Sequence, residues 1–371
     1  MSLRRLLVLV ACAFSLVLSG CDLLGADDSG DPPPVTSGVY IANAGGFGNQ
    51  NSSYTVYDPS TDDRLRIPSD RTGFASYIQS LTVHDDRVYL LFGETNSVGV
   101  FDVESNEQIA QISGVRNPRY LDVHENTAYV SGQDYRSPIA PKLYQINLST
   151  NTLVDSVDVG GSPEDVLATS ERVYVALGGQ NGSVAAVNRS DLTVEQTLPM
   201  NCDAPRSLAM DQQDELLVFC TGSTIYDENF NVEDRTDGAI RVVDPTNGNI
   251  TTQIPLDTML TSVSQGQRVF YASRSDEAYA VLADQSILRF DAAENSITDQ
   301  FDASGMPIGT LGYDAVEERL YVGRAASDVF GASGTITVHR RNGEQVGAFD
   351  AGGTQRPGIA PTDISFRRTG P

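Results

Sequence analysis

The chain has 371 residues, 40% of them hydrophobic and none of them tryptophan, and 49 acidic against 25 basic side chains give it a formal net charge of −24. So acidic a surface repels nucleic acid and anionic membranes, which removes both from the set of expected partners.

In chain order, the first element is a secretory signal over residues 1–20: Arg4 and Arg5, then an apolar stretch over residues 6–18, then small residues at a cleavage site. As a helix that stretch reaches about 20 Å at roughly 1.5 Å per residue, short of a hydrocarbon core of about 30 Å, and no later stretch is apolar for long enough. Leu18-Ser19-Gly20-Cys21 resembles the bacterial lipobox. The resemblance implies cleavage before Cys21 and acylation of its thiol. Each buried methylene then contributes about 0.8 kcal/mol, so the membrane contact is covalent lipid alone. A soluble secreted protein with a chance cysteine is the alternative. Residues 21–37 form an acidic tether, with Asp27, Asp28 and Asp31 followed by Pro32, Pro33 and Pro34, too poor in apolar surface to fold. An acidic run directly after such a cysteine resembles the surface-export signal of Bacteroidota lipoproteins, implying display on the outer membrane, with a periplasm-facing location as the alternative.

From residue 38 to 371 the chain repeats itself. A strand that ends in an Asx-type turn recurs at Tyr57-Asp58, Phe101-Asp102, Ile146-Asn147, Val187-Asn188, Val243-Asp244, Phe290-Asp291 and, degenerate, His339-Arg340, a period of about 47 residues. A second strand, rich in β-branched and aromatic residues, recurs around Tyr40, Tyr89, Tyr129, Tyr174, Leu217, Tyr279 and Tyr321. Shorter strands introduced by proline precede most of these, at Pro118, Pro163, Pro205, Pro307 and Pro361. With no helical periodicity, the pattern predicts an all-β fold, a seven-bladed β-propeller of four-stranded antiparallel blades. The strand after Pro361 has no blade of its own and the first blade has no innermost strand. The C-terminal strand is therefore predicted to pair with the strand of Tyr40 and close the ring.

Cys12 leaves with the signal, so Cys202 and Cys220 remain, flanking a hairpin of residues 206–210 and 216–219 in an oxidising compartment. A disulfide is expected, with two free thiols as the alternative.

In this topology the loops after each second strand share one face with those before each first strand. Four of the former are long, over residues 43–52, 132–141, 221–236 and 323–334, and long loops gathered on one face point to binding there. They carry Phe47, Tyr135, Tyr226, Phe230 and Phe330, which suit a large, partly flat ligand or a protein partner, unless each ring packs beneath its own loop. Arg119, Glu164 and Arg206 follow the repeated prolines and are placed at the mouth of the central channel. There the two arginines hold an anionic group or pair with Glu164 and other carboxylates. Asp227, Asn229, Asn231 and Asp234 approach a calcium loop, but Val232 stands where glycine is needed and Gly238 where glutamate is needed, so no metal is expected. His84 and His124 occupy equivalent turn positions in two repeats, and no catalytic motif is present. A propeller enzyme with a metal in its channel is the least favoured alternative, and no cofactor is expected.

The copies around Tyr40, Tyr174 and Tyr321 resemble the YVTN-type propellers of surface-layer proteins, over residues 38–367. Scarce lysine, with Lys142 the only one, and the acidic excess resemble proteins of saline habitats. Tyr40-Ile41-Ala42-Asn43-Ala44-Gly45-Gly46-Phe47-Gly48 with Tyr57-Asp58 resembles the opening blade of Bacteroidota surface propeller lipoproteins. Some of these capture corrinoids such as vitamin B12 and pass them to an outer-membrane transporter. The resemblance implies a non-catalytic cell-surface receptor for a large small molecule; the alternative is a protein-interaction or envelope-scaffold propeller.

Overall fold

The computed structural model describes residues 34–45, 51–68, 77–133, 140–261, 269–303, 305–325, 334–352 and 360–369; the signal, Cys21 and most of the tether lie outside them. Among the described residues every regular element is a strand, and no helix is long and apolar enough to cross a membrane.

The first blade contains β1 (Val35–Asn43), β2 (Ser53–Asp58) and β3 (Asp63–Pro68). The second is β4 (Ile78–His84), β5 (Arg87–Phe92), β6 (Ser97–Asp102) and β7 (Gln108–Ser113), and the third β8 (Pro118–His124), β9 (Thr127–Gly132), β10 (Lys142–Asn147) and β11 (Thr152–Asp158). The fourth is β12 (Ser162–Ala168), β13 (Arg172–Gly178), β14 (Ser183–Asn188) and β15 (Val194–Pro199). The fifth comprises β16 (Pro205–Met210), β17 (Leu216–Cys220), β20 (Ala239–Val243) and β21 (Ile250–Pro255), and between its second and third strands stands an extra hairpin, β18 (Thr224–Tyr226) and β19 (Val232–Arg235). The sixth is β22 (Val269–Ala272), β23 (Glu277–Val281), β24 (Ile287–Asp291) and β25 (Ser296–Phe301); the seventh is β26 (Ile308–Asp314), β27 (Arg319–Ala325), β28 (Gly334–Arg340) and β29 (Gln345–Asp350). The last strand, β30 (Pro361–Thr369), returns to the first blade and pairs antiparallel with β1, Tyr40 opposite Ser365, giving the order β3-β2-β1-β30. The seven four-stranded blades and this closure are those the repeats predict.

The second strands, such as β5 and β17, are buried at nearly every position because each blade is covered on both faces by its neighbours. Seven apolar clusters sit between successive blades and complete a circle. Tyr54 and Phe101 pack in the cluster between blades 1 and 2, and Ile41, Tyr321 and Phe349 in the one that joins blade 7 to blade 1. The outer strands β11, β15 and β21 alternate or face solvent, and a bulge where each meets its inner neighbour twists the free edge away from further pairing.

The recurrent Asx turns form as expected. The side chains of Asp58, Asn188 and Asp244 each accept the backbone N–H two residues on, at 2.8–2.9 Å. In blade 7, where Arg340 replaces the usual residue, Asn342 takes over and accepts the Glu344 N–H at 3.1 Å.

Candidate functional site

The first strand of a blade lines the central channel. In blades 2, 3, 4, 5 and 7, and in β30, its pairing with the second strand slips by one residue near the first strand's start. The slip releases the side chain at that place from the ladder and re-aims it. The residues so released are Gln79, Arg119, Glu164, Arg206, Gly309 and Thr362, one in each of six blades. A repeated proline opens β8, β16 and β30 and stands second in β12, where its missing N–H costs no ladder bond. Gly309 is required as glycine, because a Cβ there would lie 2.5 Å from the Pro361 carbonyl oxygen of the closing strand.

Arg119, Glu164 and Arg206 come together at this level, on adjacent blades. The Arg119 fork meets one oxygen of Glu164, with Nη2 at 2.7 Å and Nε at 3.2 Å from Oε2. Arg206 approaches the other oxygen less closely, Nη2 lying 3.5 Å from Oε1. Side-chain exposure follows the same order, 3% for Glu164, 10% for Arg119 and 27% for Arg206. The pairing alternative therefore describes Arg119, while Arg206 is only loosely held. Two further members of the ring were not singled out from the sequence. Gln79 Nε2 and Thr362 Oγ1 are buried with no hydrogen-bond partner, although each unmade bond costs about 1–3 kcal/mol.

One level deeper stand Asp165 and Asp363, with Asp122 further along. Each carboxylate bridges two inner strands: Asp363 accepts the Leu81 N–H at 2.9 Å, Asp122 the Ala168 N–H at 2.7 Å and Asp165 the Leu208 N–H at 2.9 Å. Burial in the wall pushes the Asp165 and Asp363 carboxyls up to about 7 despite these bonds, and raises Asp122 as well. Their place is structural, joining blade 1 to 2, 3 to 4 and 4 to 5.

Blade 5 carries the most prominent feature of the loop face. Cys202 and Cys220 form a disulfide, which ties the end of β17 to the segment before β16. Beside it the Gly222 N–H bonds the Asp203 carbonyl at 3.1 Å and the Thr236 hydroxyl donates to the Asp203 carboxylate at 2.8 Å, so the β18–β19 hairpin rises from a braced base. At its tip Tyr226 is 57% exposed and Phe230 87% exposed. These two rings do not pack beneath their own loop. Between the two strands the chain makes a hydrogen-bonded turn: Asp227 accepts the backbone N–H groups of Asn229 and Asn231, both at 2.8 Å. Phe47, Tyr135 and Phe330 lie outside the described residues.

Nothing else in the described chain gathers into a catalytic constellation. His339 is buried on β28 between the Gly343 carbonyl and the Thr337 hydroxyl, and that burial lowers its pKa. Among the described residues no three His, Cys, Asp or Glu side chains are grouped as metal ligands. A cleft of about 480 Å³ between blades 3 and 4, lined by Tyr129, Arg172, Arg189 and Glu195, lies among the turns of the opposite face, away from the mouth.

Three solved structures share the architecture. A functionally unknown protein from Desulfotomaculum acetoxidans superposes with a TM-score of 0.63 at 10% identity, over 89% of this chain and 99% of that one. The hydrazine synthase of Kuenenia stuttgartiensis gives 0.59 at 14% identity, over 78% and 89%, and a chain of the mitotic checkpoint complex 0.58 at 13%, over 86% and 96%. At such identities the likeness is one of fold alone. No curated protein matches the chain in sequence. Residues 37–233 match the family model described as Domain of unknown function (DUF5074), and the chain, a seven-bladed β-propeller, belongs to that family.

Proposed function

We propose that this is a non-catalytic, lipid-anchored surface receptor of the YVTN type, which captures a large small-molecule ligand on its loop face for an outer-membrane transporter. In this reading residues 1–20 direct export, Cys21 carries the acyl chains, the tether ahead of β1 lifts the propeller from the outer membrane, and the ligand is corrinoid-like. The observation that carries it is the braced hairpin of blade 5, whose exposed Tyr226 and Phe230 stand on the same face as the channel mouth with its loosely held Arg206. Two rings held out to water on one face suit a binding surface. Stacking on rings, with polar groups of the ligand reaching into the mouth, fits a molecule that is broad, partly flat and edged with hydrogen-bonding groups.

The second reading is a protein-interaction or scaffold propeller, favoured by how far Phe230 stands clear of the blade. Calorimetric titration separates the two. Cyanocobalamin, haem, a siderophore and a glycan are each titrated into the purified chain and into the variant carrying Tyr226→Ala and Phe230→Ala. The receptor reading expects one saturable heat, weakened tenfold or more by the double change. No heat with any of the four overturns it.

A further inference from the structure

We propose that the channel mouth is a site for a single oxyanion group, a carboxylate or a phosphate diester borne by a larger molecule, with Arg206 as its anchor. The inference rests on the receptor reading and specifies which part of the ligand enters the well.

Two guanidinium groups converge on the Glu164 carboxylate, and they are not held equally. Arg119 is held by two hydrogen bonds to Glu164 and is almost wholly buried, whereas Arg206 has one ion pair at 3.5 Å, makes no hydrogen bond to any described residue and keeps an open side. A planar fork with unused N–H groups is a ready partner for a planar or tetrahedral oxyanion.

Gln79 and Thr362, 5% and 4% exposed, occupy the same slipped position on blades 2 and 1, and each presents a buried, unpartnered donor: Nε2 of the amide and Oγ1 of the hydroxyl. They belong to the same ring of released positions as Arg206, on blades 2, 1 and 5. One level below, the carboxyls of Asp165 and Asp363 are taken up by backbone N–H groups of the neighbouring inner strands and hold no cation at the mouth. The chain's net charge of −24 disfavours a polyanion over a monoanion.

The test follows thermal unfolding of the full chain at constant ionic strength while chloride is replaced by dimethyl phosphate, acetate or inorganic phosphate. The expected result is a saturable one-site rise with dimethyl phosphate and with acetate, weakened at least tenfold in Arg206→Gln. It persists in Arg340→Gln, which removes an exposed arginine of the opposite face. Gln79→Leu, which deletes the donor without touching the triad, weakens binding about threefold or more. No saturable rise, or the same rise in Arg206→Gln as in the unchanged protein, overturns the proposal. A rise with inorganic phosphate alone overturns the assignment to a group on a larger molecule. If the anions fail while one of the four titrated ligands binds, this inference falls and the receptor reading stands; if the anions bind and none of the four does, the reverse holds.

Discussion

The two arginines at the channel mouth carry the same charge and touch the same carboxylate, yet they should differ sharply in what they contribute to stability. Arg119→Gln leaves Glu164, 3% exposed, with only a cation 3.5 Å away, and stranding a buried charge in this way costs about 3–5 kcal/mol. Glu164→Gln weakens the two hydrogen bonds that hold Arg119 and lowers stability in the same direction. Arg206→Gln removes a partly exposed ion pair longer than a hydrogen bond, worth about 0–1 kcal/mol and further reduced by salt. Equilibrium urea unfolding of the three variants at 0.05 M and 0.5 M NaCl reads these differences directly. The expected order is a large loss for Arg119→Gln at both salt concentrations, a loss for Glu164→Gln in the same direction, and a small, salt-sensitive loss for Arg206→Gln. If Arg206→Gln costs as much as Arg119→Gln, the three side chains form one structural lock and Arg206 is not free to serve a ligand.

Two further outcomes follow from the same geometry. Replacing Cys202 and Cys220 together by alanine opens a loop with a sequence separation of 18 and should lower stability by about 3 kcal/mol, read as the difference in urea midpoint; a change under about 0.5 kcal/mol would refute the loop-closure argument. Stability should fall as pH rises between about 4 and 7. With folded pKa values of about 7 against roughly 3.9 when unfolded, Asp165 and Asp363 hold protons in that window that the unfolded chain has lost, a contribution fully present at low pH and gone above about 7. Urea midpoints at pH 5, 6 and 8 measure it, and a slope unchanged in the variant with both aspartates replaced by asparagine would sink the assignment.

The fold was legible because each blade repeats the same local instructions. An Asx turn is a bond between a side chain and a backbone two residues away, so Asp58, Asn188 and Asp244 announce their turns without help from the rest of the molecule. Continuous apolar runs such as Val88-Tyr89-Leu90 announce a strand covered on both faces. The unpaired strand after Pro361 gave the closure. Cys202 and Cys220 could be joined on paper because a short hairpin brings them near each other.

The site was legible only in part. The prolines mark Arg119, Glu164 and Arg206, but Gln79 follows Tyr77-Ile78 in place of a proline, and Thr362 belongs to a strand whose sequence signal is ring closure. The β18–β19 hairpin carries no strand signal in the sequence, since Tyr226 pairs with Val232 across a register shift that leaves no strict alternation. Sequence by itself determined the number of blades, their order and the manner of closing the ring, since these follow from local bonds and from apolar runs that must be buried. Which arginine is held and which is free, and which donors are left without partners, depends on side chains from blades tens of residues apart meeting at one opening. Only the closed ring brings them to the distances at which hydrogen bonds and charges decide.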